Sequence, residues 1–274
     1  MELFTVNQET CNRDGICAAV CPIGIIAWRQ GELPAPAPGA EQACIRCGHC
    51  VAVCPTASLR HRDMPLETCP PVRPELRLGP EQCAHFIRAR RSIRTYKERP
   101  VEHEKLAQLI DMAHYAPSGI NSQGAHWLVI GNREHLHRLS GMVVEWMGWV
   151  LAEMPELARG MHVQQTIEQW HAGRDVILRG APVLIVAHAD KEHRMAASTC
   201  TIALTTLELA ATSLGLGGCW AGYFNAAATV FPPLQAALDL PEGHQCFGAM
   251  MIGYPKFAYH RLPTRKTPPI DWRM

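Results

Sequence analysis

The sequence has no long apolar run. Nowhere do about 18 uninterrupted apolar residues occur, the length that would suggest a membrane span, and the greasiest stretch, Val143 to Met154, is broken by Glu145 and Glu153. It also has no charge bias. With 26 basic and 25 acidic side chains, net charge +1, neither a nucleic-acid track nor a membrane-surface patch is expected, and small partners are. The N-terminus, MELFTVNQET, shows no basic segment followed by an apolar one, so the thiols are expected to be reduced and the protein cytoplasmic. The 14 histidines include no H-E-x-x-H pair and are read as scattered surface and structural residues. A dinucleotide fingerprint is missing too: Gly215-Leu-Gly-Gly-Cys-Trp220 ends in Trp where Gly is required, and a helical pattern rather than a strand precedes it.

Cysteine is abundant and unevenly spread: nine of the 12 lie before residue 84. Cys44, Cys47, Cys50 and Cys54, followed by Pro55, spell C-x2-C-x2-C-x3-C-P, the run by which bacterial ferredoxins hold cubane iron–sulfur clusters. A weaker copy stands upstream at Cys11, Cys17 and Cys21-Pro22, with Asp14 where the spacing calls for a second Cys. Zinc sites use two separated pairs and close at four ligands, which this pattern does not match. Resemblance to two-cluster ferredoxins implies that the arms exchange their last ligands. One cluster would take Cys44, Cys47, Cys50 and Cys21, and the other Cys11, Cys17 and Cys54. The second then has three thiolates and is either 3Fe-4S or 4Fe-4S with its labile corner held by Asp14 or water; 4Fe-4S is favoured. The alternative for Asp14 is an ordinary Asp-Gly turn.

At 274 residues the chain suits two domains. Residues 1–63 fit a ferredoxin-like module, with the Pro-rich insert Leu33 to Gly39 as the loop between its halves. Residues 64–82 read as a linker, since Met64 to Pro80 holds Pro65, Pro70, Pro71, Pro74 and Pro80 without periodicity. So small a module buries little apolar surface, and metal ligation should supply much of its stability. Residues 83–274 alternate long helices with short apolar strands, an α+β pattern of helices around a central mixed sheet. His103 to Ala116 is the clearest helix; Trp127 to Ile130, Val183 to Ala187 and Phe247 to Ile252 are the expected strands. Ile202 to Leu214 is apolar on nearly every face, so it should be buried on all sides and suggests a dimer core.

In this second part, Arg90-Arg91-Ser92-Ile93-Arg94 concentrates guanidinium groups suited to a phosphate. By itself a solvated basic face is the better reading of this run. It is followed by Pro117-Ser-Gly-Ile-Asn-Ser-Gln123, whose amides suit the pyrimidine edge of a flavin, and by Gly215-Leu-Gly-Gly-Cys-Trp-Ala-Gly222, a Gly-rich turn that lets backbone approach a ring closely.

Together with I-G-Y-P and R-L-P-T-R-K near the end, these motifs resemble the nitroreductase family of FMN enzymes in order and over the whole stretch from about residue 86. The resemblance implies that Arg90, Arg91, Ser92, Arg94 and Arg261 hold the FMN phosphate, with Arg265 a weaker candidate. It implies that Pro117, Ser118 and Asn121 reach the flavin across a homodimer interface, with Gln123 beside them. It places Cys219, Trp220, Ala221 and Gly222 next to flavin N5, Cys219 as a packing residue rather than a redox thiol. Some members of the family carry an acidic residue in this turn, near the place where Gly222 stands. Trp146, Met147, Trp149, Met154 and Met161 fall where the family often inserts a cover over the substrate, although such stripes are more often core.

Clusters move single electrons, whereas FMN accepts them singly and delivers a pair as hydride. The expected function is therefore an oxidoreductase that takes electrons from a reduced ferredoxin or flavodoxin and reduces a small electron-poor compound: a nitroaromatic, quinone or activated alkene. The alternatives are an NAD(P)H-dependent FMN reductase using the clusters as an outlet, and a non-catalytic electron-transfer adaptor of a larger redox complex.

Overall fold

The computed structural model describes residues 2–274. The chain divides into two compact units. The first ends at Arg77 and includes Gly119–Ser122; the second comprises Leu78–Ser118 and Gln123–Met274.

The N-terminal unit is a pair of similar arms. Strand β1 (Phe4–Val6) pairs antiparallel with β4 (Leu59–His61), and β2 (Ile26–Ala27) pairs with β3 (Ala35–Pro36). Short helices α1 (Ile16–Ala19), α2 (Ala40–Ala43) and α3 (His49–Val53) each follow a glycine in the left-handed region. Leu3, Phe4, Cys17, Ile26, Ala40, Val51 and Leu59 make its small core. The Pro-rich stretch is largely exposed and contains two 3-10 turns, Leu66–Thr68 and Pro74–Leu76.

The second unit begins with α4 (Pro80–Ala89), whose first turn is set by Pro80 and by the Gln82 side chain accepting from the Gly79 amide at 2.9 Å. Next come α5 (His103–His114), β5 (His126–Ile130), α6 (Arg133–Glu153), α7 (Pro155–Gly160), α8 (Val163–His171), β6 (Val183–Asp190), α9 (Ala196–Ala211), β7 (Gly217–Trp220), α10 (Gly222–Val230), α11 (Pro232–Leu238) and β8 (His244–Gly253). The strand order is β5-β6-β8-β7, with every pairing antiparallel. The expected mixed sheet is thus corrected to an antiparallel one. The sequence reading also missed β7, because a run of two glycines carries no strand propensity; its partner β8 supplies the register, Gly217 opposite Gly253 and Trp220 opposite Met250.

Both faces of the sheet are covered. Along β6, Leu184 and Val186 point to a core shared with α6, α10 and α11, while Val183, Ile185 and Ala187 point to one shared with α5 and α9. This is the period of two expected of a pleated strand. Leu106, Leu109 and Ala113 seat α5, as their helical spacing predicts. Within the chain α9 is not buried on all sides: Cys200, Leu204 and Leu207 face the sheet, but Ile202 is 39% exposed and Thr201 and Thr205 are exposed too. Among the described residues no helix is long and apolar enough to cross a membrane.

Segment 90–94 docks against β7 because two side chains are missing there. The Ile93 amide donates to the Gly218 carbonyl at 2.9 Å, and a Cβ on Gly217 would lie 2.3 Å from Ile93 Cγ1. Gly217→Ala should therefore destabilise this unit by about 1–3 kcal/mol, the usual scale of overpacking. A lowered denaturant midpoint checks this, and Ile93→Ala in the same background should recover part of the loss.

Candidate functional site

In the N-terminal unit the two arms hold their cysteines on the same backbone. Arg13 and Arg46, in equivalent places, both take positive φ (55° and 51°), as do Gly15 and Gly48 (72° and 73°). Each turn aims an amide at sulfur: Arg13 N–H donates to Cys11 Sγ and Arg46 N–H to Cys44 Sγ, both at 3.4 Å. Asp14 thus occupies the place that Cys47 has in the other arm. Folding brings the cysteines together in crossed sets. Cys11, Cys17 and Cys54, with Asp14, line one small cavity; Cys21, Cys44, Cys47 and Cys50 line a second.

The donor chemistry fits iron–sulfur clusters. Burial pushes the Cys50 thiol up to about 11 and raises Cys17, so these groups are costly as free thiolates and suited to metal-bound ones. Burial also acts to raise Cys54, but the Leu59 amide, the Thr56 hydroxyl and the Ser58 amide outweigh it and lower the thiol overall; the Ser58 N–H to Sγ distance is 3.2 Å. His61, 4% exposed, brings Nε2 to 3.6 Å from Cys44 Sγ. Hydrogen bonds of this kind tune cluster potentials. Asp14 Oδ1 accepts from the Ile16 amide at 3.2 Å, a turn contact that leaves its second oxygen uncommitted. Among the described residues no three His, Cys, Asp or Glu side chains converge as a single-ion site.

Asn121 falls in this unit as well. Its Nδ2 donates to the carbonyls of Ile45 (3.2 Å) and Arg46 (3.0 Å), on the turn between Cys44 and Cys47. These two carbonyls occupy the donors of its carboxamide and leave Oδ1 as the group it could offer a ligand. Ile120 and Asn121 hold this turn at positive φ.

In the second unit the 90–94 segment and β7 lie side by side, so the stretches expected to hold phosphate and ring are brought together. Arg90 Nη1 donates to Glu208 Oε1 at 2.6 Å, and the Glu208 side chain is only 6% exposed. Arg91 Nη1 is turned to the carbonyls of Arg88 (2.9 Å) and Arg90 (2.6 Å), while Arg94 is exposed and reaches the Ser92 carbonyl at 3.5 Å. Cys219 is 4% exposed; burial raises its thiol although Arg94 and Arg179 pull the other way, which describes an inert packing residue. Trp220 packs partly buried, Ala221 is buried, and Gly222 opens α10 with nothing within 4 Å of where a Cβ would stand. A backbone edge beside open space is what a planar ring needs.

Other expected residues are not gathered there within the chain. Arg261 and Arg265 sit on the exposed tail, Arg261 bonded to the His260 carbonyl at 3.1 Å. Pro117 is exposed, and Ser118 Oγ accepts from the Gln123 amide at 3.0 Å. Of the proposed cover, Trp146 and Met147 are core (4% and 0% exposed), whereas Trp149 is 53% exposed.

The sequence reading missed two features. One is Glu208. The other is a histidine cluster: the register of β5, β6 and β8 gathers His126, His188 and His244, with ring centroids 4.8–5.5 Å apart and the Nδ1 atoms of His188 and His244 at 2.9 Å. No spacing in the sequence signals it, since the three lie on separate strands. Burial first, then His244 and His126, lowers His188 to about 4.

Comparison with known proteins agrees with this architecture. Residues 87–254 match the nitroreductase family model and residues 9–59 a 4Fe-4S dicluster domain. The chain is 28% identical over 181 residues to an Archaeoglobus fulgidus protein named "Putative NADH dehydrogenase/NAD(P)H nitroreductase", covering 64% of this chain and 87% of that one. It is also 28% identical over 167 residues to an "FMN reductase [NAD(P)H]" of Bacillus subtilis, covering 60% and 62%. Among solved structures, a Bacteroides fragilis nitroreductase with bound FMN superposes with TM-score 0.59 at 25% identity, covering 70% of this chain and 98% of that one. The fold and the paired sites define a flavin-dependent oxidoreductase with a ferredoxin-type 4Fe-4S domain. The chain belongs to the nitroreductase family.

Two outcomes are expected. Asp14→Cys should complete a second all-cysteine set and abolish any 3Fe EPR signal after mild oxidation; an unchanged spectrum removes Asp14 from the cluster. Because His188 is held neutral in the fold, with its value lowered from 6.5 to about 4, its contribution to stability is intact above pH 6.5 and is lost as pH falls toward 4. Urea midpoints measured across that window should drop less steeply in His188→Asn than in the parent.

Proposed function

We propose that the protein accepts electrons from a reduced ferredoxin- or flavodoxin-type donor through its cysteine-held clusters, passes them to FMN and reduces an electron-poor acceptor such as a nitroaromatic, quinone or activated alkene. Bound clusters supply single-electron transfer and bound FMN the conversion to delivery of a pair as hydride. The observation that carries this reading is the meeting of seven cysteines in two crossed sets in a chain of the nitroreductase family.

Cys21, Cys44, Cys47 and Cys50 hold one 4Fe-4S cluster; Cys11, Cys17 and Cys54, with Asp14 or water at the remaining corner, hold the other. Arg90, Ser92 and Arg94 bind the FMN phosphate. Arg91 supports the same stretch by tying down its carbonyls. Gly222 and the backbone of Cys219 to Ala221 border the ring. Pro117, Ser118, Gln123 and the tail residues Arg261 and Arg265 complete the site in a homodimer, where the exposed face of α9 also becomes covered. Orientation and charge stabilisation are the protein's tasks.

A second reading has support in the names of two relatives, both of which include NAD(P)H: a reduced nicotinamide charges FMN directly and the clusters drain it. Anaerobic mixing separates the two. Bleaching of the flavin by reduced ferredoxin with little effect of NADH or NADPH is the expected result, and rapid bleaching by either nicotinamide reverses the direction of flow. Lack of turnover with a panel of nitro, quinone and enone acceptors points to an electron-transfer adaptor instead.

A further inference from the structure

Glu208 is the one carboxylate among the buried polar residues of the second unit. It lies on α9, whose neighbouring inward positions Leu204, Leu207 and Ala211 are fully buried and apolar, so an apolar side chain would fit this position without the cost of removing a charge from water. Buried ion pairs are often no more stabilising than apolar replacements. Stability alone therefore does not explain why a carboxylate stands here.

Its surroundings do. The stem passes directly beneath β7, where a Cβ on Gly218 would come 3.3 Å from Glu208 Cγ. The carboxylate emerges beside the docked 90–94 segment and takes Arg90 Nη1 at 2.6 Å. Arg90 is the first residue after α4, with non-helical backbone, and its side chain is 27% exposed. One of its five N–H donors goes to Glu208, and the others remain for a ligand. The arginine lines an open groove with His85, Arg88, Thr212 and Leu262. A long side chain at a helix end is otherwise free to sample many rotamers, and holding it in advance removes an entropic cost of binding.

We propose that Glu208 is a positioning residue that holds Arg90 ready for the flavin phosphate, and thereby sets the preference for FMN over riboflavin. The inference rests on the reading of Arg90 as a phosphate ligand. Glu208 touches no part of the flavin in this scheme; it acts through Arg90 alone.

The test uses the full-length chain stripped of flavin and titrated with FMN and, separately, with riboflavin, following quenching of flavin fluorescence. Glu208→Gln should weaken FMN binding roughly tenfold, the scale of one charge-assisted hydrogen bond, and leave riboflavin binding unchanged. Glu208→Met should show the same selective loss with thermal stability retained, which keeps the test available if the Gln variant folds poorly. Arg90→Gln should lose the preference as well, and Arg90→Gln/Glu208→Gln should be no worse than Arg90→Gln. An FMN-to-riboflavin affinity ratio unaffected by either Glu208 substitution, or an equal loss for both ligands, overturns the proposal. If Arg90→Gln also leaves the ratio unaffected, it is the assignment of Arg90 to the phosphate that fails; if only the Glu208 variants do, the positioning role alone fails.

Discussion

The flavin half of the molecule depends on how closely β7 can be approached. Gly217 and Gly218 have no side chains, so Ile93 can hydrogen-bond to one side of the strand and the stem of Glu208 can pass under the other. These two contacts fix the arginine-rich stretch beside the segment that leads into α10, and they bring its guanidinium groups near a backbone edge with open space at Gly222. The adjoining strands need little beyond regular pairing, because Leu184, Ile185 and Val186 fill cores on both faces of the sheet. Rigidity around β7 is thus inherited from the sheet, and the approach itself comes from two absent methyl groups.

A different constraint governs the N-terminal unit. Its core is small, and part of it is thiol. Burial raises Cys17 and Cys50, so the metal-free form keeps polarisable groups in the interior with little to hold them there. Ligation by metal-bound sulfur is the kind of interaction that offsets such a burden in small domains. The repeated turn geometry around Arg13 and Arg46 shows that the arms share a backbone and differ at the ligand position. Asp14 therefore sits on the backbone that Cys47 has in the other arm, and the two positions differ in oxygen against sulfur rather than in shape.

Much of this was legible in the sequence. Spacing alone identified the cysteine arms, because a thiolate every three residues followed by proline has few uses. Helical periodicity located α5, and branched apolar runs located β5, β6 and β8, since both patterns reflect side-chain direction along a local backbone. The glycine pair of β7 was readable as a close-approach element but not as a strand, because pairing with β8 supplies what propensity does not. Asn121 was read from its motif as facing the flavin, whereas its donors are taken up by two carbonyls that lie more than seventy positions earlier in the chain.

The sequence by itself determined the chemistry available: soft sulfur ligands in one half, clustered guanidinium groups and glycines in the other, and two segments with their own composition. Only the tertiary structure decided which of these groups meet. The crossing of Cys54 and Cys21 between arms, the pairing of Arg90 with Glu208 and the gathering of His126, His188 and His244 all join residues far apart in the chain. Such meetings are set by strand register and by helix packing on the sheet, which arise from long-range burial and leave no periodic trace in the local order of residues.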